Sequence, residues 1–143
     1  MTDEKRFVGI DFGIKRIGVA VSDPLGWFAT PLATIENNPD FWKKFFNLLR
    51  DYKIEAFVVG YPLKESGEVS AIIEEVDKFI QRLEKKFRLP VIKVDERYSS
   101  SIAERQILES VKSKKKRRDK GLVDRNAAAI ILKDFLEERE HGK

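Results

Sequence analysis

The sequence contains no cysteine and a single histidine, and these two shortages limit the chemistry open to the protein. Without cysteine there is no disulfide, no thiol nucleophile and no thiolate ligand for zinc. The histidine, His141, lies in a polar segment near the end of the sequence. We therefore expect catalysis or metal binding to depend on carboxylates, hydroxyls and basic side chains.

The sequence also lacks a long apolar run. No window approaches the roughly 20 apolar residues of a membrane span, and the opening MTDEKR has no apolar core of a secretory signal. The 143 residues, of which 42% are hydrophobic, fit one globular domain with a core of its own. We predict a cytoplasmic protein without membrane association, built as a single domain over residues 1–143.

Positive charge is concentrated in one segment, although the net charge is only +4. Residues 112–120 contain seven basic residues against the single acidic residue Asp119. Such a block repels itself and forms either a solvated linker or an arm for a polyanion. Its density on an otherwise near-neutral chain favours nucleic acid as the partner.

Hydrophobic periodicity predicts an α/β fold. Strands are expected at residues 7–11, 17–21, 27–35, 56–60 and 91–94, and helices at 41–52, 69–87, 102–111 and 125–138. The first two strands are joined by a tight hairpin turn at residues 13–16. Pro31 cannot donate to a strand ladder, so the third strand is expected at an edge of the sheet.

The most unusual residue in the predicted strands is Asp11. An ionised carboxylate in an apolar strand is costly unless a cation or several donors meet it. Gly9, Gly13 and Gly18 leave room for a ligand or another backbone to approach. Asp11 is thus a candidate for a metal or phosphate site, and the alternative is that it ends its strand and caps the turn.

Three further acidic residues occupy similar positions. Asp95 and Glu96 follow a predicted strand at its carboxyl end, where α/β sheets bind ligands. Because side chains alternate, only one of the two is expected to join a site. Asp124 lies at the start of the last predicted helix, where it either caps the helix or is brought to the sheet by the small residues 127–129.

Several segments together resemble the YqgF/RuvX family of Holliday-junction-resolvase-like proteins, to which processing of pre-16S ribosomal RNA is assigned. These segments are GIDFG followed by RIGVA, then VGYPL, DERYSS and DRNAA, in that order over nearly the whole chain. The resemblance implies a ribonuclease-H-like fold, with a five-stranded mixed sheet, a central first strand and flanking helices. One departure is Tyr61, where the family more usually has Leu.

The resemblance also implies a nuclease that hydrolyses phosphodiester bonds with Mg²⁺ or Mn²⁺, in 5′-end maturation of pre-16S ribosomal RNA. The catalytic and metal-binding residues it implies are Asp11, Glu96 and Asp124, with Glu96 preferred to Asp95. Carboxylates from separate elements suit these hard cations, and the shortage of histidine and cysteine disfavours zinc. The junction resolvases of the wider superfamily have a carboxylate on the preceding strand, and this chain has none at residues 58–60.

Basic and hydroxyl side chains near these acids are candidate phosphate contacts, and the alternative for each is a solvent-facing turn residue. The candidates are Lys15, Arg16, Arg97, Ser99, Ser100, Lys114, Lys115, Lys116, Arg117 and Arg118. The expected partner is structured RNA or branched DNA, bound by a monomer or a weak homodimer.

Three other functions are compatible with parts of this pattern. One is a resolvase of Holliday junctions or other structured DNA, and another is a non-catalytic nucleic-acid-binding module. The Asp11 hairpin also resembles the first phosphate loop of actin-like ATPases and sugar kinases, but 143 residues cannot hold the second domain that those proteins need. Metal-dependent cleavage would distinguish a nuclease from a binding module.

Overall fold

A computed structural model describes residues 4–61, 71–95 and 120–141, and its centre is a five-stranded sheet. The strands are β1 (Arg6–Asp11), β2 (Arg16–Ser22), β3 (Ala29–Glu36), β4 (Ile54–Tyr61) and β5 (Val91–Asp95). The described helices are α1 (Phe41–Leu49), α2 (Ala71–Phe87) and α3 (Lys120–His141). None of these helices is long and apolar enough to cross a membrane.

The sheet has the order β3-β2-β1-β4-β5, so β1 lies at its centre. The strand β2 runs antiparallel to β1 and β3, whereas β4 runs parallel to β1 and β5. This arrangement confirms the predicted mixed sheet with a central first strand. The edge position of β3 is also confirmed, and its pairing with β2 shifts register beside Pro31.

The third strand begins at Ala29, two residues later than predicted. The carboxylate of Asp23 accepts hydrogen bonds from the backbone N–H groups of Trp27 and Phe28, at 2.8 and 2.7 Å. Partial burial acts to raise the pKa of Asp23, but backbone donors, those of Phe28 and Trp27 foremost, hold it below its ordinary value of 3.8. The two aromatic residues therefore belong to the turn rather than to β3.

The helices cover the two faces of the sheet. The face covered by α1 and α2 has an aromatic core that includes Phe41, Phe45, Phe57 and Phe79. The opposite face is covered by α3, and its core includes the small residues Ala20, Ala56, Ala128 and Ala129. Alternation along β1 sends Val8 and Ile10 to the aromatic core and Phe7 to the core under α3.

Two glycines allow α3 to lie close against the sheet. A Cβ atom added at Gly18 would overlap the backbone carbonyl of Asp124, and one added at Gly9 would lie 2.7 Å from the Cβ atom of Leu132. Any larger residue at either position would push the helix away. The glycines predicted to make room for a ligand or a backbone therefore make room for a backbone.

The last helix begins at Lys120, five residues earlier than predicted. The hydroxyl of Thr34 on β3 donates to the carbonyl of Gly121 and ties this first turn to the sheet. A tertiary contact thus outweighs the helix-breaking tendency of Gly121. The predicted buried face of α3 is confirmed at Ala127, Ala128, Ile131, Leu132 and Leu136, whereas Phe135 is only partly buried.

The helix α1 is shorter than predicted, whereas α2 ends at the predicted residue. The helix α1 ends at Leu49 rather than at residue 52. The helix α2 ends at Phe87, because Arg88 has the left-handed φ of 55° and Pro90 follows. The predicted helix at 102–111 lies outside the described residues, and so do residues 112–119 of the basic segment.

Candidate metal and nucleic-acid site

Asp11 is the last residue of the central strand, and it faces α3. It alternates with Phe7 and Gly9, which contact this helix: the rings of Phe7 and Phe135 have centroids 5.1 Å apart. Asp11 therefore lies on the α3 face at the carboxyl end of β1. This is the end of the sheet at which α/β proteins place ligands.

The fold brings Asp124 to the same place. Asp11 is paired with Gly18 on β2, and the backbone carbonyl of Asp124 packs directly on Gly18. Since paired Cα atoms lie about 5 Å apart, this carbonyl is within about 9 Å of the Asp11 Cα atom. Two of the three predicted ligands thus share one face and one end of the sheet.

Asp124 does not cap its helix, so that interpretation of it is wrong. It lies in the second turn of α3, because the helix already begins at Lys120. Its Oδ2 atom instead accepts a hydrogen bond from Nε of Arg16 at 2.7 Å, and the two side chains are 19% and 34% exposed. Arg16, predicted as a phosphate contact, is in this structure the partner of a candidate ligand.

Asp95 lies on the other face of the sheet. It alternates with Lys93, whose Nζ atom is 3.7 Å from Asp77 of α2. It is also paired with Tyr61, which donates a 3.0 Å hydrogen bond to Asp77. Both contacts place Asp95 on the α2 side, opposite Asp11, which leaves Glu96 as the preferred member of the acidic pair.

Tyr61 is the residue that departs from the family pattern, and it too faces α2. Burial, followed by the hydrogen bond to Asp77 and the charge of that carboxylate, raises the pKa of Tyr61 above its ordinary value of 10.0. The phenol therefore stays protonated as a donor to Asp77. Its side chain lies on the opposite face of the sheet from Asp11.

The turn between β1 and β2 is held by Asn37, a residue whose role the sequence did not reveal. Its side-chain amide donates to the carbonyl of Gly13 at 2.9 Å, and its backbone N–H donates to the carbonyl of Lys15 at 2.9 Å. Asn37 appeared in the sequence only as a break before α1. Its two bonds fix the backbone that carries the exposed Lys15 beside the candidate site.

The donors on the α3 face fit a hard divalent cation. Asp11 and Asp124 offer carboxylate oxygens, the ligands that Mg²⁺ and Mn²⁺ prefer. The guanidinium of Arg16 at 2.7 Å from Asp124 also shows that this position attracts a cation. Among the described residues, no three acids, histidines or cysteines are placed together so that they could hold a metal ion. Glu96, the third predicted ligand, lies outside the described residues.

Nine further candidate residues lie outside the described part of the chain. They are Glu96, Arg97, Ser99, Ser100, Lys114, Lys115, Lys116, Arg117 and Arg118. Their roles stay predictions. Lys120, the last residue of the basic segment, belongs to α3 rather than to a loop.

A cavity of about 780 Å³ lies elsewhere, between β5 and the later part of α3. Acidic residues Asp134, Glu137 and Glu138 are among those that line it. Burial, and then the charges of Glu137 and Glu138, raise the pKa of Asp134 above its ordinary value of 3.8. Its four acidic residues outnumber the two basic ones, Lys93 and Arg139, so this cavity disfavours phosphate and its size does not make it a nucleic-acid site.

A smaller groove of about 280 Å³ lies next to the carboxyl end of β1. Phe12, the residue after Asp11, forms part of its wall, and Lys78 and Arg82 of α2 supply positive charge against the single acid Glu75, which lies 3.7 Å from Nζ of Lys78. This groove is therefore better suited to a phosphate backbone than the acidic cavity is.

A family model described as "RuvX: Holliday junction resolvase" matches residues 5–138 of the chain. A protein of Salinibacter ruber is 43% identical over 138 residues, which cover 95% of each chain. A protein of Chlorobium chlorochromatii is 40% identical over 137 residues, 95% of this chain and 97% of the relative. Both relatives carry the name "Putative pre-16S rRNA nuclease".

Two solved structures share the fold at low sequence identity. RuvC of Thermus thermophilus, solved with a Holliday junction substrate, superposes with a TM-score of 0.56 at 18% identity over 95% of this chain and 96% of its own. The Fowlpox virus resolvase, solved with junction DNA, also gives 0.56, at 13% identity over 94% and 98% of the two chains. These likenesses support the ribonuclease-H-like fold.

Proposed function

The chain belongs to the RuvX family, and we propose that it is a divalent-metal-dependent nuclease that acts in 5′-end maturation of pre-16S ribosomal RNA. The names of relatives about 40% identical to it support this substrate. The observation that carries the proposal is the placement of Asp11 and Asp124 together at the carboxyl end of the central strand. We propose a single nuclease domain, cytoplasmic, working as a monomer or weak homodimer.

In this proposal, Asp11, Asp124 and Glu96 hold Mg²⁺ or Mn²⁺. A bound divalent cation neutralises the charge that develops on the attacking and leaving oxygens of a phosphodiester. The protein supplies position: Asp11 is fixed by the β1–β2 pairing, and Asp124 by the packing of α3 on Gly18. Carboxylates held by the central strand and a closely packed helix keep their geometry without rearrangement.

Substrate binding is assigned to phosphate contacts rather than to base recognition, which suits a structured RNA chosen by shape. Lys15 and Arg16 lie beside the acids, and we propose that Arg97, Ser99, Ser100 and the run Lys114, Lys115, Lys116, Arg117 and Arg118 extend this surface. If about five basic side chains meet phosphates, the logarithm of affinity falls with the logarithm of salt concentration at a slope near −4. Replacing the five residues of the run by Ser is expected to flatten that slope for every sequence alike.

Branched DNA is the second candidate substrate. It is favoured by the description of the matching family model as a Holliday junction resolvase. Hydrolysis of either substrate would use the same acidic residues, so these residues are compatible with both. A direct comparison of cleavage rates on the two substrates distinguishes them.

The test is a cleavage assay with two labelled substrates, a precursor carrying the 5′ leader of 16S ribosomal RNA and a four-way DNA junction. We expect cleavage of the precursor with Mg²⁺ or Mn²⁺, none with a chelator, and none for Asp11→Asn. That variant is expected to keep or gain stability, because repulsion between clustered carboxylates is relieved.

The control is Asp51→Asn, which removes the same charge from an exposed turn after α1. It should cleave like the unaltered protein. Full activity of Asp11→Asn would end the metal-nuclease proposal, and faster cleavage of the junction than of the RNA would favour the resolvase. Tight binding without cleavage of either substrate would identify a non-catalytic binding module.

A further inference from the structure

The ion pair between Arg16 and Asp124 joins two distant parts of the chain at the candidate site. Arg16 is the first residue of β2, Asp124 lies 108 positions later, and the Nε to Oδ2 distance is 2.7 Å. Both side chains are partly exposed, at 34% and 19%. The pair is thus accessible to ions from solvent, and it occupies a carboxylate that the proposed function assigns to a metal.

The two partners of this pair differ in their freedom to move. The backbone of Asp124 is packed on Gly18 so closely that a single added carbon would overlap it. Asp124 also has a short side chain with few rotamers, whereas Arg16 has a long flexible one. If the pair opens, the guanidinium is the group that leaves.

Arg16 also lies on the same side of the sheet as Asp11. It alternates with Gly18 along β2, and Gly18 is paired with Asp11. Arg16 is therefore a diagonal neighbour of Asp11, at the roughly 7 to 8 Å separation over which long side chains interact. Its positive charge is adjacent to both carboxylates, and a divalent cation at the same carboxylates would be repelled by it.

We propose that Arg16 is an internal counter-ion of the candidate site, a positioning residue that competes with the divalent cation for Asp124. In the free protein the guanidinium neutralises Asp124 and keeps it aimed at β2. Binding of the cation displaces the guanidinium, which then becomes available to a phosphate of the nucleic acid. This inference rests on the proposed function, since it concerns the ligands named there.

The experiment measures Mn²⁺ binding to the full chain without nucleic acid, by calorimetric titration. We expect Arg16→Gln to bind Mn²⁺ roughly tenfold more tightly than the unaltered protein, a size typical of coupling between sites. Arg16→Met should do the same, and Arg16→Lys, which keeps the charge, should return the affinity towards the original value. A partly exposed ion pair contributes little to folding, so these variants should fold.

The matched control is Arg50→Gln. Arg50 is exposed and directly follows α1. It lies near the start of β4, which is at the opposite end of the sheet from Asp11. Its removal changes the net charge equally, and the Mn²⁺ affinity should change by less than about twofold. An equal gain in both variants would show only a general charge effect and overturn the proposal.

An unchanged or weaker Mn²⁺ affinity in both Arg16→Gln and Arg16→Met would also overturn it, as would absence of Mn²⁺ binding in all variants. The proposed nuclease activity is tested separately, by the cleavage assay. Tighter Mn²⁺ binding with no cleavage by any variant would keep the counter-ion role and remove the nuclease. Cleavage with unaltered Mn²⁺ affinity would keep the nuclease and remove the counter-ion role.

Discussion

The two faces of the sheet are packed by opposite means. Under α1 and α2, large rings fill the space: the centroids of Phe41 and Phe45 are 5.1 Å apart, and those of Phe45 and Phe57 are 6.1 Å apart. Under α3, Gly18 and Ala128 leave so little space that helix and sheet backbones touch. The aromatic face has the larger cluster of buried side chains and should contribute more to stability, whereas the face under α3 fixes where Asp124 lies.

We therefore expect one face mainly to stabilise the fold and the other mainly to position the candidate site. Apolar burial is worth about 25 cal/mol per Å² and needs no particular register, so large rings can be exchanged at a cost in stability alone. A helix that must present a carboxylate next to Asp11 needs a close and specific approach, which only glycine and alanine allow. Substitutions on the two faces should therefore separate stability from function.

The largest effect on stability is expected from Phe45→Ala. Phe45 is fully buried and contacts the rings of Phe41, Phe57 and Phe87. Its truncation should lower the free energy of unfolding by about 3 to 5 kcal/mol, measured by urea denaturation. The fraction that stays folded should bind Mn²⁺ as before, because Asp11 and Asp124 lie on the opposite face.

Phe46→Ala is the control for that experiment. Phe46 is the next residue, is 40% exposed and stacks on Phe87 at 4.7 Å. We expect its loss to cost about 1 kcal/mol or less. A smaller loss for Phe45→Ala than for Phe46→Ala would contradict the assignment of stability to the aromatic face.

The next effect is expected from Gly18→Ala, on the other face. The added methyl group would overlap the backbone carbonyl of Asp124, and neither backbone can yield without moving α3. The free energy of unfolding should fall by about 3 kcal/mol, and cleavage should be lost even where the protein stays folded. In Gly9→Ala the methyl group would lie 2.7 Å from Cβ of Leu132 and 2.8 Å from the carbonyl oxygen of Ala128, a less severe overlap that is farther from Asp124, so this variant should destabilise less and retain more activity. Equal activity losses in the two variants would break the link between Gly18 and the site.

A smaller effect is expected from Ser22→Ala. Ser22 is the buried polar residue of the described core, and its Oγ atom accepts the backbone N–H of Phe7 at 2.9 Å. The ladder between β1 and β2 begins at Val8, so the N–H of Phe7, which points towards β2, is bonded by this hydroxyl instead of by a β2 carbonyl. Leaving that donor unsatisfied should cost about 1 to 2 kcal/mol in chemical denaturation. Thr30→Ala, an exposed hydroxyl on β3, should change stability by less than about 0.5 kcal/mol.

The same contrast explains which features were predictable from the sequence. Apolar runs located β1, β2, β4 and β5 closely, and Pro31 placed β3 at an edge, because these signals are local. The central place of β1 was also implied by the family resemblance. Local patterns also gave the buried residues of α3, from Ala127 to Leu136.

Features that depend on contacts between distant residues were missed. The helix α3 begins at Lys120 because Thr34, far away in sequence, holds the carbonyl of Gly121. The pairing of Arg16 with Asp124 is likewise invisible in either segment alone. Alternation does indicate that Arg16, Gly18 and Asp11 share a face, but only the approach of α3 shows what meets them there.

The smallest expected effect lies at Asp134, an exposed residue of α3 beside the acidic cavity, where Asp134→Asn tests whether this helix contributes to stability only through its buried side. Burial, with the charges of Glu137 and Glu138, raises the pKa of Asp134, so the folded protein binds this proton more tightly than the unfolded chain does. The ionised carboxylate therefore opposes folding, and its cost appears as the pH rises from below 3.8 through the raised pKa. We expect Asp134→Asn to have a slightly higher Tm at pH 7 and no advantage at pH 3, whereas Asp51→Asn should show no such pH-dependent gain. A lower Tm of Asp134→Asn at pH 7 would mean that the carboxylate stabilises the helix, and that the outer side of α3 carries part of the stability assigned here to the sheet.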